Sequence, residues 1–154
     1  MPENILIQTK EEYEIAARLF REYANWLNID LCFQHFDEEL EQLQSMYAAP
    51  NGGIILSRFT GQYIGCVGVR KIDLQIAELK RMYVQPDFQR RGIGYSLLQD
   101  ACTLAKKLGY KKIRLDTLNT MHSAIKLYTV NGFYEIPAYY YNPEATAVYF
   151  EKLL

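Results

Sequence analysis

A glycine-containing loop between a strand and a helix is the feature that most constrains the fold of this chain. Residues 82–94 read MYVQPDFQRRGIG, so an apolar run is followed by a Pro turn and by two glycines before a helical pattern begins. Gly92 and Gly94 leave the backbone unshielded, and the N-terminus of the helix carries partial positive charge. The amides of residues 90–95 can therefore converge on one anion, and the site suits phosphate.

Several loop types fit two glycines separated by one residue. The simplest is a strand–helix turn that needs glycine only for its backbone angles. A dinucleotide-binding loop has a third glycine in the pattern G-x-G-x-x-G, but Leu97 occupies that position, and the chain contains no G-x-x-x-x-G-K-[ST] loop. Arg90 and Arg91 add positive charge that would favour a diphosphate.

Length, charge and cysteine content restrict the kind of protein. We expect 154 residues to form a single domain, residues 1–154, with a core that needs no disulfide or metal. A net charge of −1 predicts no binding to nucleic acid or to a membrane surface. No apolar run is long enough for a transmembrane helix, and Cys32, Cys66 and Cys102 lack the C-x-x-C spacing of a zinc site. We expect a cytoplasmic protein without a metal ion.

Hydrophobic periodicity predicts alternating strands and helices. Short apolar runs bounded by turn residues are typical of strands, and apolar residues at intervals of three and four are typical of helices. The order β-α-α-β-β-β-α-β-α-β-β predicts a mixed sheet with helices on its faces, and the unit beginning at residue 77 would be a right-handed parallel crossover. We expect strands at 5–7, 54–59, 63–69, 77–84, 113–116, 133–136 and 147–151, and helices at 10–27, 37–48, 92–108 and 123–130.

The central loop and its flanks resemble the acetyl-CoA loop of the GNAT superfamily of N-acetyltransferases. The six residues from Gln89 to Gly94 fill the family pattern Q/R-x-x-G-x-G/A. The preceding Val84-Gln85-Pro86 and the later Leu127-Tyr128 and Asn131-Gly132-Phe133 also match. The resemblance is strong over residues 65–135 and looser elsewhere. It implies an α/β fold with a mixed, mostly antiparallel sheet and helices on both faces.

By this resemblance the cosubstrate is acetyl-CoA. The family holds the diphosphate of coenzyme A in this loop and the pantetheine arm along the preceding strand, which separates from its neighbour and exposes backbone amides. An amide aimed at the acetyl oxygen would stabilise the charge that develops there. The residues expected to bind the cosubstrate are Met82, Tyr83, Val84, Gln89, Arg90, Arg91, Gly92, Ile93, Gly94 and Tyr95.

Glu78 is the candidate general base. An acceptor amine must lose a proton to attack the thioester, and in many members of the family an acid on this strand takes it. Lys80 and Arg81 would lower the pKa of Glu78. The alternatives are a Glu78 ion pair on a solvated face and a site in which the two cations bind an acidic group of the substrate. Strand alternation would place Glu78, Lys80, Met82 and Val84 on one face and Leu79, Arg81 and Tyr83 on the other.

Tyr128 is the candidate general acid. The family commonly places a tyrosine at this position, on the helix after the fifth strand, where its hydroxyl can protonate the leaving thiolate. The alternative is a tyrosine at the edge of the core. One departure from the family pattern lies seven residues earlier, where Met121 stands in place of an asparagine that contacts the pantetheine arm. Asn119 lies two residues before that position.

Other residues are weaker candidates. His35 and His122 are more simply explained as packed or surface histidines, and no base accompanies Cys32. The segment Tyr139–Tyr141 is either a surface aromatic patch, including a contact in a homodimer, or a lid over the acceptor.

The function that these residues predict is acetyl transfer from acetyl-CoA to a primary amine of a small molecule, an amino acid or a peptide. The alternative is a domain that binds acyl-CoA without catalysis, as a sensor or regulatory module, since it would keep the loop and need neither Glu78 nor Tyr128. The residues that would select the acceptor, near 27–36 and 137–143, match no motif.

Overall fold

The structure is a computed structural model that describes residues 1–29, 31 and 35–154. Except for the second helix, the predicted bounds of its elements agree with the observed ones to within two residues at each end. A short 3₁₀ turn at Pro86–Phe88 joins the fourth strand to the fourth helix. The elements are β1 (Glu3–Leu6), α1 (Lys10–Leu27), α2 (Phe36–Glu41), α3 (Leu43–Met46), β2 (Gly53–Phe59), β3 (Gln62–Lys71), β4 (Ile76–Val84), α4 (Ile93–Lys107), β5 (Lys112–Leu118), α5 (His122–Val130), β6 (Tyr134–Ile136) and β7 (Ala147–Leu153).

The strands form one seven-stranded sheet in the order β1-β2-β3-β4-β5-β7-β6. Neighbouring strands are antiparallel except for β4 and β5, which are parallel. The parallel pair is joined through α4, as the crossover pattern predicts. The mixed, mostly antiparallel sheet expected from the sequence is therefore confirmed.

Helices pack on both faces of this sheet. On one face, Leu97 and Leu98 of α4 and Tyr128 of α5 are buried against the strands. On the other face, Phe20 of α1 is buried together with Tyr47, which directly follows α3. These two cores flank β4, so the central strand contacts both layers of helices.

The second helix differs from its prediction. The sequence predicts one helix over 37–48, but the chain leaves helical geometry at Gln42, where φ is −121° and ψ is 22°, and this residue separates α2 from α3. The Gln42 carbonyl accepts hydrogen bonds from the amides of Ser45 and Met46 and from the Ser45 hydroxyl. These local bonds replace the regular ladder of a continuous helix, and Leu43 and Tyr47 are both buried beyond the break.

A bulge at Arg81 interrupts β4. In the register with β3, Gly68 pairs with Lys80 and Cys66 pairs with Tyr83, so β4 has two residues where β3 has one. Arg81 has a φ of 57°, in the left-handed region that non-glycine residues seldom adopt. The extra residue shifts the alternation of side chains along the strand by one position.

This shift corrects the predicted arrangement of β4. Strict alternation would place Met82 on the same face as Glu78. After the bulge, Met82 instead packs, like Leu79, against the core that α4 and α5 cover. Arg81 and Tyr83 both face the layer formed by α1, α2 and α3. The prediction failed because alternation of period two assumes a strand without an inserted residue.

A buried ion pair holds the bulge in place. Arg81 donates from Nη2 and Nε to Oε1 and Oε2 of Glu39, at 2.9 and 3.2 Å, and both side chains are almost fully buried. The Tyr47 hydroxyl donates to Oε2 of Glu39 at 3.0 Å, and the Cys66 thiol donates to the Arg81 carbonyl at 3.3 Å. The pair is thus well satisfied, whereas either charge alone would be costly at this depth.

β4 and β5 separate beyond their first three residue pairs. Pairing stops at Glu78 and Arg114, although both strands continue for several residues. The bulge follows three residues after this last pair, and a bulge bends its strand. The backbone groups on this side of β4 beyond Glu78 therefore face an opening instead of a neighbouring strand.

Replacing Glu39 with Ala should destabilise the protein by about 3–5 kcal/mol, because the Arg81 guanidinium would remain buried without its counter-charge. Urea unfolding followed by circular dichroism measures this loss. The matched control is Glu41→Ala, which removes an exposed acid of the same helix and should change the free energy of unfolding by less than about 0.5 kcal/mol. Equal stability of Glu39→Ala and the unmodified protein would show that the pair does not hold the bulge.

Candidate active site

The gap between β4 and β5 opens into a cavity of about 520 Å³. Its walls come from the separated halves of both strands, the loop before α4, and the first turns of α4 and α5. The end of α1 and the segment before β7 close it on the other side. A cavity between two strands that stop pairing gives a ligand access to backbone groups as well as side chains.

One end of the cavity is the N-terminus of α4. The first hydrogen bond of this helix runs from the Ser96 amide to the Gly92 carbonyl at 3.1 Å, and no side chain caps the helix. The amides of residues 93–95 therefore have no acceptor within the helix. Gly92 has a φ of 83° and Arg90 a φ of 64°, so the loop turns twice through left-handed conformations. Backbone of this kind forms a concave anion site.

Most of the residues expected to bind the cosubstrate lie in this wall. Met82, Tyr83, Val84, Gln89, Arg90, Gly92, Gly94 and Tyr95 line the cavity, whereas Arg91 and Ile93 do not. The Arg91 guanidinium lies over the Phe88 ring, 5.4 Å from its centroid. The Ile93 side chain is buried in the core. The structure thus brings together eight of the ten predicted residues, and what they bind stays a prediction.

The backbone of β4 presents amides to the opening. The Gln85 amide donates to the Ile64 carbonyl of β3 at 2.9 Å. Because successive amides of a strand point to opposite edges, the amides of Val84 and Met82 point to the other edge, where β5 has separated. The side chain of Gln89 donates to the Val84 carbonyl at 3.0 Å and so ties the loop to this strand.

Tyr128 presents a polar group to the cavity from a buried position. It lies on α5, is 5% exposed, and its ring packs against Phe133 and Phe150. Within the described part of the chain, its hydroxyl has no hydrogen-bond partner. Burial raises the pKa of this hydroxyl, and Tyr23 and Asp116 raise it further. The hydroxyl is therefore protonated at neutral pH and available as a donor.

Glu78 lies outside the lining of the cavity. Its Oε1 accepts a hydrogen bond from Arg70 Nε at 2.9 Å, and its Oε2 accepts one from the Tyr139 hydroxyl at 2.6 Å. Burial raises the pKa of Glu78, but Lys80, Arg70 and Tyr139 together outweigh burial and leave the pKa below its usual value. A carboxylate with both oxygens engaged and a lowered pKa is a weak proton acceptor, so the role of Glu78 as a base stays a prediction that the geometry does not favour.

The other end of the cavity contains residues that the sequence analysis missed. Asp116 of β5 lines it, with Tyr23 and Trp26 from α1 and Asn142 and Glu144 from the segment before β7. A signal for Asp116 was present, because Ile113 and Leu115 are core residues while the alternate positions of the same strand are charged. Leu27, Ile29 and Leu31 add apolar surface, in the region expected to select the acceptor.

Two of the three tyrosines at 139–141 pack inward. Tyr139 and Tyr140 form a ring cluster with Tyr149, with centroid distances of 5.4–5.7 Å. The Tyr140 hydroxyl donates to Oδ2 of Asp116 at 2.8 Å, and Tyr139 bonds to Glu78 as described. Tyr141 is 84% exposed. The first two tyrosines therefore pack behind the wall of the cavity, where Tyr140 holds Asp116, and a surface patch explains only the third.

The remaining candidate residues of the sequence lie in different places, some at the cavity and some away from it. His122 and Met121 line the cavity at the start of α5, and Asn119 does not. His35 is exposed at the start of α2. Cys66 and Cys102 are buried in the core without a disulfide partner, and Cys32 lies outside the described residues.

Comparison with known proteins identifies the class. The chain matches the model of the acetyltransferase (GNAT) family over residues 16–133. A relative from Schizosaccharomyces pombe, described as an uncharacterized N-acetyltransferase, is 33% identical over 153 residues, which cover 96% of this chain and 94% of the relative. Both matches are to acyl-transferring enzymes, so the protein is an acyltransferase. It belongs to the acetyltransferase (GNAT) family.

Solved structures agree with the fold. A GNAT-family acetyltransferase from Staphylococcus aureus superposes with a TM-score of 0.82 at 22% identity, over 99% of both chains. A GNAT-family acetyltransferase from Elizabethkingia anophelis, solved with acetyl-CoA bound, is 27% identical with a TM-score of 0.59, over 68% of this chain and 77% of that one. The first match shows the shared fold.

Two further observations concern the described residues. None of their helices combines the length and apolar character needed to cross a bilayer. Their His, Cys, Asp and Glu side chains form no group of three or more that could hold a metal ion.

Two tyrosine-to-phenylalanine variants should differ in stability. Tyr139→Phe removes a hydrogen bond to the buried Glu78 carboxylate and should cost about 1–3 kcal/mol. Tyr128→Phe keeps the ring contacts and removes a hydroxyl without a protein partner, so it should change the free energy of unfolding by less than about 0.5 kcal/mol. Urea denaturation of both variants measures the difference. Equal losses would contradict the assignment of the Tyr128 hydroxyl to the cavity.

Proposed function

We propose that this acyltransferase transfers the acetyl group of acetyl-CoA to a primary amine of a small molecule, an amino acid or a peptide. The observation that carries the proposal is one cavity that joins the uncapped start of α4, the separated edge of β4 and the Tyr128 hydroxyl. The acetyl-CoA-bound relative from Elizabethkingia anophelis supports this choice of cosubstrate.

The loop before α4 fits a diphosphate. Three amides of the first turn lack acceptors, and Arg90 in the same wall supplies positive charge. A β-carbon at Gly92 would meet no atom within 4 Å, so this glycine leaves open space beside the amides. Bound acetyl-CoA supplies the activated acetyl thioester, and the residues of this wall hold its diphosphate.

The residues between the two ends of the cavity would assist the transfer. The amides of Met82 and Val84 point into the opening, where one of them is positioned to donate to the acetyl oxygen as negative charge develops. Tyr128 would donate its hydroxyl proton to the departing sulfur. Phe133 and Phe150 pack against the Tyr128 ring and so hold its hydroxyl in place.

The acceptor would occupy the end of the cavity formed by α1, Asp116 and the segment before β7. Trp26 and Leu27 offer apolar contact, and Asp116 and Glu144 offer negative charge to a cationic amine. We also propose a cytoplasmic location, which the two unpaired thiols of Cys66 and Cys102 support.

The test is a screen that follows the free thiol of coenzyme A while the protein turns over acetyl-CoA with a panel of primary amines. The panel includes alkylamines, diamines, free amino acids and peptides with a free N-terminus. Release above the rate without amine supports the proposal and selects the best acceptor. Binding of acetyl-CoA in calorimetry without release on any amine would contradict it and favour a sensor.

The Gly92→Ala variant should bind acetyl-CoA at least about tenfold more weakly, a loss of roughly 1.4 kcal/mol. A β-carbon at a φ of 83° strains the loop and projects beside the amides that would hold the diphosphate. Isothermal titration calorimetry with acetyl-CoA measures the affinity. Gly61→Ala is the matched control, because its β-carbon would also meet no atom within 4 Å and its φ of 78° causes the same strain in the turn between β2 and β3, outside the cavity lining. Equal affinity of the two variants would contradict the proposed diphosphate site.

The Tyr128→Phe variant should lower kcat with the best acceptor by roughly 100-fold, since proton donation to the sulfur would be lost. Its affinity for acetyl-CoA should change by less than about threefold, because the ring still lines the cavity. Steady-state kinetics and calorimetry separate the two quantities. Unchanged kcat would remove Tyr128 from the mechanism.

A further inference from the structure

Asp116 lies where β5 no longer pairs with β4, although β5 still pairs with β7 there. The last pair between β4 and β5 is Glu78 with Arg114, and Asp116 follows two residues later on the same face of β5 as Arg114. It lines the cavity that also contains Tyr128. Asp116 therefore belongs to the wall of the cavity, and Glu78 does not.

One oxygen of the Asp116 carboxylate accepts a hydrogen bond from the protein, and the other is available to a ligand. Oδ2 of Asp116 accepts the hydrogen bond from Tyr140, and Nδ2 of Asn142 donates to the Tyr140 hydroxyl at 3.3 Å. The Tyr140 ring is fixed in turn by Tyr139 and Tyr149. Within the described ranges, Oδ1 has no hydrogen-bond partner. The carboxylate is thus oriented by its surroundings and keeps one acceptor atom for a ligand.

The negative charge of Asp116 raises the pKa of other polar groups in the cavity. Burial raises the pKa of Tyr23 to about 12, and the charge of Asp116 contributes to that rise. The same charge adds to the effect of burial on Tyr128. Tyr128 is itself an independent sign of a ligand here, because this buried residue lines the cavity and its hydroxyl has no hydrogen-bond partner among the described residues.

Glu78 lacks these properties. Both of its oxygens accept hydrogen bonds from protein groups, its side chain is 4% exposed, and it lies outside the cavity lining. An incoming ammonium group would have to displace Arg70 or Tyr139 to reach it. The two carboxylates of the neighbouring strands are therefore not equivalent, and the one on β5 is open to a substrate.

We propose that Asp116 binds the ammonium group of the acceptor and takes its proton, directly or through one water molecule. This inference rests on the proposed function. The acceptor nitrogen gives its lone pair to the acetyl carbon, the carbon–sulfur bond breaks, and the electron pair of that bond remains on sulfur. Before this attack Asp116 takes one proton from the ammonium group and passes it to solvent, which frees the lone pair. After the attack the nitrogen loses its second proton to solvent, while Tyr128 supplies the proton of the thiol and is reprotonated by solvent.

The experiment compares Asp116→Asn, Glu78→Gln and Asp37→Asn with the unmodified protein, using the amine that the screen selects. Asn keeps the shape of Asp and still accepts the Tyr140 hydrogen bond. Asp37 is exposed in the first turn of α2, so its variant tests the same chemical change away from the cavity. Thermal unfolding checks the fold of each variant, and calorimetry with acetyl-CoA checks the donor end.

Asp116→Asn should lower kcat/KM by at least about 100-fold and change the affinity for acetyl-CoA by less than about threefold. The loss should shrink as pH rises toward the pKa of the free amine, ~10.4 for an alkylamine, because solvent then deprotonates the acceptor. Other titratable groups face Asp116, and its charge raises the pKa of each of them, so Asp116→Glu, which keeps that charge, serves as the reference for their titration. These groups are Lys80 on β4, Tyr23 on α1, Tyr128 on α5, Tyr149 on β7, and Tyr139 and Tyr140.

Asp116→Glu restores a carboxylate and should recover part of the lost activity, which a purely structural role of Asp116 would not predict.

A loss below tenfold in Asp116→Asn, a loss that does not change with pH, or a larger loss in a folded Glu78→Gln would each overturn the inference. No turnover by the unmodified protein on any amine, with acetyl-CoA bound, would refute the proposed function itself and remove the acceptor on which this inference depends.

Discussion

The buried ion pair between Glu39 and Arg81 is the interaction on which the site depends. It joins α2 to the centre of β4 and stabilises a backbone conformation that an arginine adopts only at a cost. The resulting bulge turns Met82 toward the core under α4 and Tyr83 toward α1, and beyond it β4 no longer runs beside β5. The cavity, the exposed amides of β4 and the position of Tyr128 at its wall all follow from this departure from regular pairing.

The two ends of the cavity, which we propose for the donor and the acceptor, use different physical means. The donor end is mainly backbone, formed by the uncapped first turn of α4 and the loop that holds Gly92. The acceptor end is mainly side chains, in which aromatic rings position carboxylates. Backbone suits a ligand group that every member of the family shares, because amides change little with sequence. Side chains suit a group that differs between members, which agrees with the absence of any motif at the acceptor end.

Local patterns made the fold and the loop before α4 predictable from sequence. Hydrophobic periodicity and turn residues located the strands and helices, and the spacing of Gly92 and Gly94 located the uncapped start of α4, because each depends on neighbours along the chain. The bulge at Arg81 was not predictable in this way, since its partner Glu39 lies 42 residues away. Glu78 was predicted to be a base from its position in the strand, but its partner Tyr139 lies 61 residues away. Asp116 was missed because an acid on a strand indicates exposure and does not reveal the cavity that it faces.

Two adjacent tyrosines connect the strands that the bulge separates. The Tyr139 hydroxyl bonds to Glu78 at the last pair of β4, and the Tyr140 hydroxyl bonds to Asp116 of β5 just beyond the point of separation. Beyond the last backbone pair, these two side-chain hydrogen bonds from one short segment link β4 to β5. Substitutions in that segment would alter this link while the loop before α4 keeps its sequence, so the proposed acceptor end can change in evolution independently of the proposed donor end.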